Sequence, residues 1–307
     1  MESNFMNIYN RKLPELSEEQ KKSPYAGFYY DPIEDPPEEI LNCLTGQPMN
    51  PEFSLDFDDL VKVFLPDSLP ADNGWCLRKD GTGYSVVRTF MPGITEQMEK
   101  WWYGWFPDPG YDYLNYKIWM PGWHESHGVP LIEDVGFGPM EIHSGGFMDH
   151  RILNLPKGPK ELDPDYLHCV VSSGKCRPKK PAEGQAVGSG GKVMMEAQAQ
   201  CRPVECAEQA LPRGVAEGQA LQKCSCESHP EEGWLYNTIV KCFKLYDGGM
   251  QTISLNYLGV NIEDGRFVKM NDVDPEKVRL FALHNAYECH RMGTLLPKLY
   301  KFANGQK

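Results

Sequence analysis

The stretch DPEKVRLFALHNAYECHRMG, residues 274–293, decides how the rest of the chain is read. Asp274 has the side chain of an N-cap. Pro275 suits the first helical position, where its missing N–H costs nothing. The spacing predicts a helix from there towards Gly293, a residue type that ends helices. Leu280, His284, Glu288 and Met292 fall on one stripe, with Phe281, Tyr287 and Arg291 close beside it. His284 and Glu288 are four residues apart, slightly more than one turn, so an imidazole and a carboxylate project from one face and can grip one ion. Zinc is the first-row divalent metal that best suits such ligands. By itself the pair reads more readily as a solvated or core-edge His/Glu pair making a weak intrahelical contact.

Working back along the chain, Tyr236 to Tyr246 and Met250 to Leu258 form the clearest hairpin, joined at Asp247-Gly-Gly. Gly83 to Phe90 reads as a strand entered from a Lys-Asp-Gly-Thr-Gly turn. Tyr116 to Trp119, Met140 to His143 and Arg151 to Leu155 carry the composition of further strands. Asp58 to Phe64 reads as a short helix. TEQMEKWWYGWF reads as a second, capped by Thr95 and stopped by Pro107. Several antiparallel strands with one long C-terminal helix packed across them make an α+β arrangement, with room for a ligand between sheet and helix.

Composition bounds the class. The chain has 307 residues with 41% hydrophobic content, ample for a buried core, and a formal net charge of -12. An acidic chain with scattered lysines is not a general nucleic-acid binder. No apolar run is long enough to span a membrane. The opening MESNFMNIYNRKLPELSEEQKK lacks the apolar centre of a signal peptide, so the expected location is cytoplasmic. The ten cysteines are therefore expected mainly as thiols.

From Leu167 to Gly233 there is no Phe, Trp or Tyr, and AEGQA occurs twice, starting at Ala182 and Ala216. Such a segment cannot bury enough apolar surface to offset the entropy of ordering it. The expected organisation is a polar leader over 1–25, one domain formed by 26–174 and 233–307, and a low-complexity insertion over 175–232. A short helix is expected around Met194 to Gln200. Five cysteines (Cys176, Cys201, Cys206, Cys224 and Cys226) lie in this insertion without the paired spacing of a structural zinc site.

Other candidate site residues lie upstream. His124 and His127 follow the segment NYKIW in a Pro-Gly-Trp turn, where a frame displays side chains at an element's end. Glu141 lies in Met-Glu-Ile-His, with Glu133 as its competitor. Trp101, Trp102, Trp105, Trp119 and Trp123 read as core and pocket wall.

NGWCLRKDGTGYSVVRTFMPGITEQMEKWWYGWFP (73–107), YKIWMPGWHESH (116–127) and HNAYECHRMGTLLPKLY (284–300), in this order, resemble the diacetylphloroglucinol and phloretin hydrolase family. These enzymes cleave the carbon–carbon bond between an acyl group and a polyhydroxylated ring. The resemblance covers most of residues 73–172 and 233–300. It implies a Bet v 1-like helix-grip fold, a curved antiparallel sheet around a long C-terminal helix, with zinc in the cavity. By the family pattern the metal ligands fall on His124, Glu141, His284 and Glu288, and Tyr116 matches a tyrosine that holds the ring hydroxyls. Asn237 stands where the family has a histidine. It can hydrogen-bond a phenolic hydroxyl but cannot take a proton, so His127 is the candidate substitute. Glu288 is the candidate general base.

The reading is a zinc-dependent hydrolase of acylphloroglucinols, phloretin first, with a small polyphenol as its partner and room for a homodimer. Two rivals are a non-catalytic carrier of aromatic ligands on the same fold, and a partner-binding protein that acts through the cysteine-bearing insertion.

Overall fold

The computed structural model describes residues 13–64, 68–126, 131–134, 139–148, 166–178, 233–263 and 266–305. The chain divides into two compact units. All of the described residues belong to the first, Met1–Pro178 with Pro230–Lys307. The segments Arg151 to Leu155 and Met194 to Gln200, expected as strand and helix, lie outside the described residues, as does His127.

Among the described residues, eight strands form one sheet: β1 (Asn73–Leu77), β2 (Gly83–Pro92), β3 (His124–Ser126), β4 (Leu131–Asp134), β5 (Pro139–Met148), β6 (Tyr166–Pro178), β7 (Leu235–Tyr246) and β8 (Gly249–Leu258). Their spatial order is β1-β2-β8-β7-β6-β5-β4-β3. Every neighbouring pair is antiparallel. β9 (Val260–Glu263) and β10 (Arg266–Lys269) make a separate hairpin. The helices are α1 (Glu38–Thr45), α2 (Glu96–Trp105), α3 (Gly110–Trp119) and α4 (Pro275–Ala303). This is the α+β arrangement of an antiparallel sheet with a C-terminal helix. Among the described residues no helix is long and apolar enough to cross a membrane.

α4 starts where the sequence places it, with the Asp274 carboxylate accepting the Glu276 N–H at 2.8 Å. It does not stop at Gly293 but runs on through Pro297 to Ala303. A helix-interior Gly and Pro cost about 1 and 3 kcal/mol. Leu295, Leu296 and Leu299 are all buried, and each contributes about 1.5–3 kcal/mol. Burial therefore outweighs the two breakers. Gly293 serves a packing role: a Cβ there would lie 2.9 Å from Met91 Cγ and 3.4 Å from Met91 Cα on β2. At the other end of the same strand, a Cβ on Gly83 would lie 2.4 Å from Val278 Cγ2. Two glycines thus let α4 lie close along β2.

The opposite face of the sheet is covered by the 3-10 segment Phe57–Phe64, whose Phe57, Leu60 and Val63 join Tyr84, Val240, Ile253 and Tyr257 in a second core. Burial there pushes the Cys76 thiol up to about 12. The cysteines Cys43, Cys76, Cys176, Cys242 and Cys289 carry thiols rather than disulfides.

α3 departs from expectation. Tyr116 to Trp119 reads as strand from its aromatic and β-branched residues, yet it is helical, because Leu114, Asn115, Ile118 and Trp119 recur at helical spacing and are all buried. β-propensity mostly measures fit to a sheet surface, and packing overrides it here. The first turn of α3 is left-handed at Tyr111, Asp112 and Tyr113, with φ of 53°, 54° and 56°. Such a conformation costs about 1–2 kcal/mol per residue. Gln20, itself buried, helps to hold it, donating from Nε2 to Asp112 O (3.2 Å) and Asp112 Oδ2 (3.0 Å). Leu16 is also buried, in the core that contains α3. Arg291 ties this region to α4, donating to Pro32 O at 2.8 Å and to Ile118 O at 3.4 Å.

Gly83→Ala is expected to destabilise the protein by about 1–3 kcal/mol, the cost of overpacking against Val278. Gly104→Ala, exposed on α2 with nothing within 4 Å, is expected to be neutral or stabilising by up to ~1 kcal/mol. Urea unfolding of the two variants checks the contrast.

Candidate metal centre

His124 opens β3 directly after the turn that ends α3, with its N–H on Met120 O at 2.9 Å. Gly122, at φ 78°, permits that turn. The imidazole stacks on Tyr116, centroids 4.0 Å apart and planes at 8°, and meets Trp119 edge-on at 5.2 Å. Its Nδ1 lies 3.2 Å from Tyr116 O, a carbonyl that can only accept. The proton is thereby assigned to Nδ1, and Nε2 presents its lone pair inward.

α4 supplies the other two groups. His284 stacks on Trp123, centroids 5.0 Å apart. Glu288 lies one turn further on, with Oε1 3.0 Å from His124 Nε2 and 3.5 Å from His284 Nε2. One potential ligand atom from each of the three residues lies within 4.8 Å of the others, and all three residues are buried. The Trp119 indole N–H donates to Glu288 O at 2.9 Å, fixing α3 to this turn of α4. Burial would push the Glu288 carboxyl up. The neighbouring His284 and His124 side chains, together with the Lys241 ammonium, outweigh this and hold it well below the usual carboxylate range. The three residues could hold a metal ion: two imidazoles, one with its tautomer set, and an ionised carboxylate converge where water is excluded.

A family model described as the DAPG hydrolase PhiG domain matches residues 54–140. Phloretin hydrolase of Eubacterium ramulus is 30% identical over 184 residues, covering 56% of this chain and 66% of that one. 2,4-Diacetylphloroglucinol hydrolase of Pseudomonas sp is 29% identical over 296 residues, 92% of this chain and 88% of the relative. The chain belongs to the diacetylphloroglucinol and phloretin hydrolase family. The same-named enzyme of Pseudomonas protegens is 29% identical over 109 residues, 35% of this chain and 34% of its own.

Against this family background, the structure brings some of the expected site residues together and leaves others apart. Tyr116 is buried at the centre, its ring on His124, and it is carried by a helix rather than the expected strand. Asn237 lies on β7, opposite Leu258 and Gly174. Its Oδ1 is buried with no hydrogen-bond partner among the described residues. Glu141 lies on β5, two strands from His124, and is paired with Ile132 and Arg177. Glu133 on β4 is the backbone register partner of His124.

Sequence reasoning missed Lys241 and Cys289 beside Glu288. The signal was a charged residue at an inward position of β7, where Ile239 and Phe243 keep the alternation apolar.

The low Glu288 value sets a pH dependence. A depressed carboxyl contributes stability that is fully present above its unfolded value of about 4.3 and is lost as pH falls from there through the lower folded value. Urea unfolding of chelator-treated protein from neutral pH downwards is expected to show this loss, and Glu288→Gln to flatten it. An unchanged slope in the variant would mean that Glu288 is not held low.

Proposed function

We propose that this protein is a zinc-dependent hydrolase that cleaves the carbon–carbon bond between an acyl group and a phloroglucinol-type ring. Phloretin is the first substrate, giving phloroglucinol and phloretic acid. The observation that carries this reading is the buried His124, His284 and Glu288 group packed against Tyr116, in a chain of this family. The fold is proposed as a Bet v 1-like helix grip formed by 26–174 and 233–307, with 175–232 as an insertion and 1–25 as a leader. The setting is cytoplasmic.

His124, His284 and Glu288 hold the zinc, with a fourth ligand from Glu133 or Glu141. Of these, the register that sets Glu133 opposite His124 favours Glu133. When bound, zinc supplies a Lewis acid and lowers the pKa of a coordinated water towards about 7.

The chain's own residues do the rest. An aryl ketone resists cleavage because the leaving carbanion belongs to an aromatic ring, so the ring carbon must be protonated as the bond breaks. Water adds OH to the acyl carbon and H to the ring carbon, and no other reactant is needed. Tyr116 and Asn237 orient the ring through its hydroxyls; the buried Asn237 Oδ1 is an acceptor suited to a phenolic O–H. His127 is the further candidate at the ring. Glu288, kept ionised beside two imidazoles, takes the proton from the attacking water. The aromatic rings of Trp119 and Trp123 exclude bulk water from the imidazoles.

Zinc content and phloretin cleavage, measured together, test the reading. Wild type is expected to carry one zinc per chain and to release phloroglucinol, and His284→Ala to lose both. Glu133→Gln is expected to weaken zinc retention under chelator more than Glu141→Gln does. A wild type that takes up no metal and turns over no acylphloroglucinol, even after zinc is added, would leave a non-catalytic binder of aromatic ligands as the reading.

A further inference from the structure

Lys241 is a charged residue beside the metal group that the proposed mechanism does not use. In the sheet it is the register partner of Ser254, which is the partner of Val87. Directly opposed residues of antiparallel strands share a face. Val87 belongs to the core that contains Ala282, Leu283 and Ala286, so Lys241 lies on the face of the sheet that α4 covers. There its ammonium sits 5.7 Å from the centroid of the Trp119 ring, and its charge offsets part of the burial that raises the Cys289 thiol. The same indole lies 5.2 Å from the His124 ring. Lys241 and His124 thus both lie against Trp119, and the chain keeps a half-buried cation within reach of whatever occupies that space. Beside it the Ser254 hydroxyl is fully buried and has no hydrogen-bond partner among the described residues. A cation and a spare hydroxyl side by side form a polar subsite on the helix-facing side of the sheet.

We propose that Lys241, with Ser254 beside it, binds a phenolic oxygen of the substrate ring and determines the preference for rings bearing acidic hydroxyls. This rests on the acylphloroglucinol reading. As the acyl–ring bond breaks, the electron pair returns to the ring and its charge is shared by the ring oxygens. An ammonium placed at one of them is a fixed donor for developing charge, stronger in the transition state than in the ground state. Its loss therefore falls more on kcat than on KM. Lys241 acts at the ring, whereas the three proposed zinc ligands act at the acyl end.

The test uses the full zinc-loaded chain as wild type, Lys241→Met, Lys241→Arg and Ser254→Ala, with phloretin kinetics, zinc content and calorimetric binding of phloroglucinol. Lys241→Met is expected to lower kcat by about tenfold to a hundredfold. Weaker phloroglucinol binding and unchanged zinc per chain are expected alongside. Lys241→Arg restores part of the rate, and Ser254→Ala loses a smaller factor. The proposal is overturned if Lys241→Met keeps wild-type kcat and phloroglucinol affinity. It is equally overturned if that variant loses zinc, since the lysine would then serve only to support Glu288. Should Lys241→Met fail to fold, unchanged kcat and phloroglucinol affinity in Ser254→Ala overturn it. A zinc-loaded wild type that neither cleaves phloretin nor binds phloroglucinol removes the hydrolase reading itself, which separates that failure from failure of the lysine's role.

Discussion

Everything near the candidate centre depends on how closely α4 lies against β2. The helix touches the strand at two levels, Val278 over Gly83 and Gly293 over Met91, and a Cβ at either glycine would fall inside van der Waals contact. Between those contacts α4 carries His284 and Glu288, so the packing of a glycine-permitted interface sets the depth at which two polar groups are buried. Ala282, Leu283 and Ala286 join Val87 of β2 in one buried core. Burial at that depth is unfavourable for a carboxylate unless partners meet it.

Those partners come from elsewhere in the chain. His124 is brought to Glu288 by the short helix α3 and the turn at Gly122, and ties to α2 and α4 hold α3. The Trp119 indole N–H is on Glu288 O, the Asn115 amide is on Trp105 O at 2.9 Å, and Arg291 reaches from α4 to Ile118 O. Tyr116 is both the acceptor that sets the His124 tautomer and the ring on which His124 stacks. Stacked and edge-on aromatic contacts contribute about 0.5–1.5 kcal/mol each beyond burial. The left-handed turn that starts α3 is unfavourable by a comparable amount per residue, and Gln20 and the surrounding core offset it. A tyrosine, two tryptophans and two histidines therefore form one packed unit, and moving any of them alters the geometry at Glu288.

Polar groups recur across the helix-facing side of the sheet. Ser85 and Asn256 hydrogen-bond each other, while Ser254 and Thr89 are buried hydroxyls with no partner among the described residues. A core designed only for stability would use aliphatic residues there, because a buried orphan hydroxyl costs about 1–3 kcal/mol. On the opposite face, Tyr84, Val86, Ile253, Leu255 and Tyr257 pack under the segment Phe57–Phe64, and the buried Thr238 hydroxyl is paired with Ser173. The metal group lies on the helix-facing side, where α4 carries two of its three residues.

The sequence by itself determined the elements whose signals are local. Asp274-Pro275 marks the start of α4, the four-residue spacing puts His284 and Glu288 on one face, Thr95 caps α2, and Asp247-Gly-Gly closes the β7–β8 hairpin. Each rests on neighbours within a turn or two, so backbone geometry alone suffices. Only the tertiary structure decided that Tyr116 to Trp119 is helix rather than strand, that α4 continues past Gly293, and that Glu133 rather than Glu141 stands across the sheet from His124. It also placed Lys241 beside Glu288. In each of these cases the local propensities compete within a few kcal/mol. Burial against residues more than a hundred positions away, or the register of a strand that no local pattern specifies, tips the balance.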